Sequence, residues 1–177
     1  GTPREVLYDL LLEEEGRSFL LYVVMNFPDQ SLEAVREMIC HPQSVLGLSD
    51  AGAHCGSVCD GSAPTSLLTH WCRDRKAGDG LPLPWMVRAL SSEPATLFGL
   101  RDRGLLRPGM KADVNVIDFE TLGCELPEKR YDLPTGARRL GQRARGYADT
   151  FLSGELIREG GEDTGARPGR LVRRKVD

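Results

Sequence analysis

Residues 44–54, SVLGLSDAGAH, decide how the rest of this sequence is interpreted. Three of the first six are aliphatic, at positions 45, 46 and 48, and such a short apolar run predicts a strand that is buried on both faces. Asp50 follows directly and therefore stands at the carboxyl end of that strand, where ligands bind in α/β sheets and barrels. The small residues after it leave room for a substrate or a metal ion. This stretch therefore predicts an α/β fold with a candidate site at Asp50.

The sequence before this stretch alternates predicted helices and strands. Thr2, Pro3 and Glu5 form the capping box of a first helix, and a second helix is predicted to open at Ser31. Between them, residues 18–25, SFLLYVVM, predict another strand that is buried on both faces. The order helix–strand–helix–strand with short connections is typical of α/β proteins.

The second half of the chain has a different pattern. Three more helices are predicted first, at residues 64–75, 84–90 and 92–98. Residues 113–119 then alternate with a period of two, which predicts a half-buried strand, and Ser153-Gly154 between two apolar runs predicts a β-hairpin. Residues 120–146 are predicted to be loop. We therefore expect one domain at residues 1–99 and another at residues 100–177.

Composition excludes several classes of protein. The 177 residues are 40% hydrophobic and 28% charged, which is ordinary for a globular protein. No apolar run approaches the roughly 18 residues of a membrane span. The net charge is −3, and the basic residues near the C-terminus alternate with acidic ones, so nucleic acid is not an expected partner. Five cysteines and no signal-peptide pattern predict reduced thiols and a cytoplasmic protein.

The candidate site leaves alternatives open at each residue. Asp50 could bind a metal ion through one oxygen and accept a proton from water through the other, or it could cap a turn. His54 could be a ligand, a proton donor or the partner of a ligand, or it could hydrogen-bond a carbonyl group. Cys55 and Cys59 could complete a four-ligand zinc site, but Cys-x3-Cys without a second pair is not typical of structural zinc, and plain thiols are the alternative.

Several stretches resemble one family. Residues 46–54, LGLSDAGAH, resemble the last-strand signature of the amidohydrolase superfamily, and more closely that of the N-acyl-D-amino-acid deacylase (D-aminoacylase-like) group. Further similar stretches are THWCR at 69–73, SEPATLFG at 92–99, DRGLLRPGMKADVNVID at 102–118 and FLSGELIR at 151–158. Together they cover nearly the whole chain.

The resemblance implies a metal-dependent (β/α)8 barrel with a small β-sandwich domain. A barrel takes about 250 residues, so the expected fold is the C-terminal part of the barrel followed by part of the β-sandwich. Asp50 matches the family's metal-binding aspartate and expected general base, and His54 matches a histidine beside the site. Zinc is the implied metal. The family's His-x-His is absent, so most zinc ligands are expected outside this chain.

The resemblance also implies an enzyme that hydrolyses the N-acyl amide bond of N-acyl-D-amino acids or related amides. This fragment alone is expected to be inactive. One alternative is a cyclic-amide, hydantoinase-like hydrolase, and the other is a barrel homologue that serves as a scaffold without catalysis. The expected partners are a small-molecule amide and either the remainder of the parent polypeptide or a second copy of the chain. Nucleic acid and membranes are not expected partners.

Overall fold

The computed structural model describes residues 1–21, 23, 25–27, 30–47, 49–52 and 54–173, whose helices and strands make a mixed α/β protein. The chain divides into two units, Gly1–Ser44 and Val45–Asp177. The expected division between residues 99 and 100 stays a prediction. In the described part of the chain, no helix has the length and apolar character needed to cross a membrane.

The first unit contains helices α1 (Pro3–Gly16) and α2 (Glu33–Cys40). The predicted capping box is confirmed at the start of α1. The Thr2 hydroxyl accepts a hydrogen bond from the Glu5 amide at 3.4 Å, and the Glu5 carboxylate accepts one from the Thr2 amide at 2.7 Å. Both amides would otherwise lack a partner, because the first turn of a helix has no preceding carbonyl groups.

After the apolar segment and the loop that follows it, the second unit is helical. Its helices confirm the three predicted at residues 64–75, 84–90 and 92–98. A 3₁₀ turn at Asp60–Ser62 leads into α3 (Ala63–Thr69), which continues as a π-helical turn at His70–Asp74. Helices α4 (Leu83–Leu90) and α5 (Ser92–Leu97) follow.

Eight short strands come next: β1 (Val114–Ile117), β2 (Gly123–Cys124), β3 (Glu128–Arg130), β4 (Arg139–Gly141), β5 (Ala144–Arg145), β6 (Tyr147–Leu152), β7 (Glu155–Glu159) and β8 (Glu162–Asp163). An antiparallel sheet has the order β1-β6-β7-β8, with Phe151 opposite both Val114 and Leu156. This sheet confirms the strand predicted at residues 113–119 and the hairpin predicted at Ser153-Gly154. Strands β2–β5 form two small antiparallel pairs inside the predicted loop, so that prediction was wrong. The β-sandwich stays a prediction.

Two predicted barrel strands are not formed in the described part of the chain. The described residues of 18–25 and of 44–49 take part in no ladder, whereas Tyr22, Val24 and Leu48 lie outside the described residues. A buried parallel strand needs a ladder with a neighbouring strand, and the described strands form no ladder with these segments. Phe19 and Leu21 are accordingly 46% and 90% exposed. The apolar pattern of the two segments predicts burial, but it does not specify a neighbouring strand.

The core of the second unit lies between its helices and the start of its β-region. Met86 of α4 and Leu122, just before β2, are fully buried. The other buried apolar side chains are Leu68, Trp71, Leu81, Ala89 and Ala95. Because Leu122 contributes to this core, the β-region and the helices form one packed unit.

Arg73, in the π-helical turn, adds polar contacts across the same boundary. Its guanidinium donates to the carbonyl of Phe119, to that of Glu120 at 3.1 Å and to that of Leu122 at 2.8 Å. It also lies 5.6 Å from the centre of the Phe119 ring, within cation–π range. One side chain thus pairs three carbonyl groups of the connection between β1 and β2.

Replacing Met86 with Ala should destabilise the chain by about 2–5 kcal/mol, because it removes buried apolar volume and leaves a cavity. Val87, its neighbour on α4, is 49% exposed. The matched variant Val87→Ala should change the free energy of unfolding by no more than about 0.5 kcal/mol. Urea titrations followed by circular dichroism measure both. Equal losses in the two variants would contradict this description of the core.

Candidate functional site

The candidate residues lie on one loop, which leads from the apolar segment at 44–49 to the turn at Asp60–Ser62. Asp50 is exposed and stands at a bend. Its carboxylate has no hydrogen bond or ion pair to any of the described residues. A turn cap accepts a hydrogen bond from a backbone amide two or three residues further on, and the described one, Gly52, donates none. The cap and the catalytic role both stay predictions. Gly52 has φ +97°, a left-handed conformation that glycine adopts without strain.

His54 shapes a tight turn with its backbone. Its carbonyl accepts hydrogen bonds from the amides of Ser57 at 2.8 Å and Val58 at 3.0 Å. Its φ is +45°, which is uncommon for a residue with a side chain. The imidazole is exposed, and no hydrogen bond joins it to Asp50. The structure therefore places the two predicted catalytic residues on the same exposed loop without a direct contact, and their roles stay predictions. Ala53 lies outside the described residues.

A cleft of about 350 Å³ lies against this loop. Clefts that bind small molecules occupy about 300–1,000 Å³, so this one is at the small end of that range. One wall is the loop itself, and the other is strand β4 with its neighbours. The main-chain amide of Leu140 donates to the carbonyl of Cys55 at 2.7 Å and joins the two walls. The lining includes Ala51, Gly52, Cys55, Val58, Cys59, Leu133, Arg139 and Leu140.

The charged group of the far wall is Arg139, which the sequence did not reveal. Its Nε and Nη2 donate to the two oxygens of Asp132, each at 2.6 Å. This hydrogen bonding holds the pKa of Asp132 below its ordinary value and raises the pKa of Arg139. Burial raises the pKa of the Cys59 thiol, Asp60 raises it further, and the charge of Arg139 opposes both effects.

The described donor groups do not gather into a metal centre. No three His, Cys, Asp or Glu side chains among the described residues lie close enough together to hold a metal ion. Asp50 offers one carboxylate, whereas zinc sites in proteins use three or four ligands. The two other histidines serve locally: the His41 Nδ1 accepts from the Gln43 amide at 3.2 Å, and the His70 ring packs edge-on against Trp71.

Comparison with known proteins gives matches that cover most of the chain. Residues 14–157 match the family described as the Amidohydrolase family. A dihydroorotase of Lactobacillus delbrueckii subsp. bulgaricus is 33% identical over 103 residues, which is 57% of this chain and 23% of the relative. An allantoinase of Deinococcus radiodurans is 33% identical over 114 residues, which is 63% of this chain and 25% of the relative.

A third relative carries a different name. A 5-methylthioadenosine/S-adenosylhomocysteine deaminase of Pelotomaculum thermopropionicum is 39% identical over 85 residues, which is 42% of this chain and 20% of the relative. The matched part of the chain spans no more than 25% of the length of these relatives. No solved structure gives a significant match.

The 177-residue chain should bind zinc weakly, because one carboxylate and one nearby imidazole are too few ligands. Titration calorimetry should show binding far weaker than the roughly 10–16 kcal/mol of complete structural zinc sites. The variant Cys59→Ser should bind zinc as weakly as the unmodified chain. Tight binding at one zinc per chain that Cys59→Ser abolishes would instead establish the four-ligand site of Asp50, His54, Cys55 and Cys59.

The ion pair between Asp132 and Arg139 should make stability depend on pH. Because the folded-state pKa of Asp132 is lowered, the pair stabilises the folded chain above the ordinary carboxyl pKa of about 3.9. That contribution is lost as the pH falls through the lower folded-state value. The stability difference between the unmodified chain and Asp132→Asn should therefore shrink as the pH is lowered from 7.

Urea midpoints at a series of pH values measure this difference. Asp9→Asn, at an exposed position on α1, is the matched control and should give a difference close to zero throughout. A difference for Asp132→Asn that stays constant on acidification would contradict the prediction.

Proposed function

The chain belongs to the amidohydrolase family, and from this membership we propose that it is the C-terminal part of an enzyme that hydrolyses carbon–nitrogen bonds of small-molecule amides. The observation that carries the proposal is the match over residues 14–157, which includes the SDAGAH stretch with Asp50. Since the matched part covers no more than 25% of the relatives' length, the activity requires a longer polypeptide or a partner that completes the site.

In this proposal Asp50 is the general base. A carboxylate without a bound partner is available to accept a proton from the attacking water and to pass it to the leaving nitrogen. Asp50 meets that condition, since no described residue binds its carboxylate. His54, four residues further on, is the second candidate, positioned by the turn that its carbonyl forms with Ser57 and Val58.

Zinc is the metal we propose for the whole enzyme, with Asp50 as the ligand from this chain. Amidohydrolases are generally metal-dependent. The chemistry that a divalent metal supplies in such a site is polarisation of the substrate carbonyl. The described donors do not form a group that could hold the metal, so we propose that the other ligands come from outside this chain. The reduced thiols favour a cytoplasmic setting for the enzyme.

For the substrate, the motifs favour the N-acyl bond of an N-acyl-D-amino acid. The relatives favour a second candidate, because two are named dihydroorotase and allantoinase, and dihydroorotate and allantoin are both cyclic amides. The completed enzyme should therefore be assayed on an N-acetyl-D-amino acid and on a hydantoin in parallel. If the completed enzyme hydrolyses neither substrate, the result favours the scaffold interpretation.

Replacing Asp50 with Asn in the completed enzyme distinguishes a general base from a residue that only caps a turn. Asn caps turns about as well as Asp, but an amide cannot accept a proton near neutral pH. Loss of a positioned base lowers the rate by about 10² to 10⁴, so amide hydrolysis should fall by that factor while the melting temperature changes little.

The control is Asp60→Asn, an exposed carboxylate in the turn that ends the same loop, which takes no part in the proposed hydrolysis and should retain activity. Metal content is measured on every preparation, so that a lost metal is distinguished from a lost base. Near-normal hydrolysis by Asp50→Asn would remove Asp50 from the reaction.

A further inference from the structure

Two thiols line one wall of the cleft. Cys55 and Cys59 are both free, both partly exposed and separated by three residues. The remaining cysteines, Cys40, Cys72 and Cys124, do not line it. Both cysteines line the same small cleft, and they are separated by only three residues of one loop.

The backbone around the two thiols is held in place on both sides. The carbonyl of Cys55 is bound to the amide of Leu140 at 2.7 Å, which fastens the start of the segment to β4. Cys59 leads directly into the 3₁₀ turn at Asp60–Ser62 and then into α3. Between them, the amides of Ser57 and Val58 are bound to the carbonyl of His54, so the chain turns back on itself. These contacts hold the main chain of residues 55–59 in place beside the cleft.

The charges around the cleft favour a slow reaction. The charge of Arg139 lowers the pKa of Cys59 and so favours its thiolate form. Burial and the neighbouring Asp60 nevertheless raise the pKa of Cys59, so little of it is thiolate at neutral pH. Thiol–disulfide exchange proceeds through the thiolate and should therefore accelerate as the pH rises.

We propose that Cys55 and Cys59 form a reversible disulfide on the loop wall of the cleft, which makes this loop a site of redox modification. The oxidant is a low-molecular-weight disulfide such as oxidised glutathione. One cysteine thiolate attacks it, forms a mixed disulfide and releases one glutathione thiolate. The second cysteine thiolate then attacks the protein sulfur of the mixed disulfide and releases the other. The two cysteines lose two electrons and two protons, and two reduced glutathione molecules are formed.

This inference does not depend on hydrolase activity, because it concerns only the two thiols and the loop that carries them. Its consequence for the loop is a covalent ring of residues 55–59 immediately after His54. The ring would fix the turn that the hydrogen bonds to the His54 carbonyl now form.

The test is equilibration of the 177-residue chain in glutathione buffers of increasing oxidised fraction at pH 8. The reaction is quenched with acid, free thiols are alkylated, and proteolytic peptides are identified by mass spectrometry. We expect one intramolecular disulfide, joining Cys55 to Cys59, with Cys40, Cys72 and Cys124 alkylated. Cys40→Ser, at an exposed position outside the cleft, should leave the disulfide unchanged.

Two further measurements show whether the fold is responsible. Cys55→Ser and Cys59→Ser should each replace the disulfide by a glutathione adduct on the remaining cysteine. The folded chain should also form the bond at least about tenfold more favourably than the chain in concentrated urea, as judged by the equilibrium constant against glutathione. Equal constants in the two conditions, or a disulfide that involves Cys40 or Cys72 instead, would overturn the proposal.

Discussion

One guanidinium group connects the two parts of the second unit. The carbonyls of Phe119, Glu120 and Leu122 lie between β1 and β2, outside any ladder, and a carbonyl without a donor is costly once it is removed from water. Arg73 reaches all three, because its planar fork presents several N–H groups in fixed directions. A lysine would offer a single point of charge and could not span them. With these carbonyls paired, Leu122 can be fully buried against the helices.

The position of the cleft follows from this connection. Helix α3 begins where the candidate loop ends, and β4 belongs to the β-region that Arg73 joins to the helices. A further contact, the part-buried 2.8 Å hydrogen bond between the hydroxyls of Thr65 and Tyr147, links α3 to β6. The loop is thus fixed at its C-terminal half, where its backbone also binds Leu140. Asp50, in the N-terminal half, has no such contact among the described residues.

The features that the sequence predicted correctly are those with local causes. A capping box involves residues three apart, and a hairpin turn is specified by Ser153-Gly154 itself. The strands at 18–25 and 44–49 depend on partners, which an apolar run cannot specify. Strands β2–β5 have two or three residues each, too few to show a period of two. The position of Arg139 on the cleft was also missed, because it depends on contact with a loop more than 80 residues earlier in the sequence.

The loop therefore joins two regions with different chemical demands. A general base must be free to meet water and substrate, which agrees with an exposed Asp50 and with the glycine that follows at Gly52. Two thiols that form a disulfide need a backbone that holds their positions, which agrees with the main-chain hydrogen bond at Cys55 and the helical turn after Cys59. His54 stands between them, and its carbonyl holds the turn together. A change that tightens or loosens this turn therefore acts first on His54, whose carbonyl forms it.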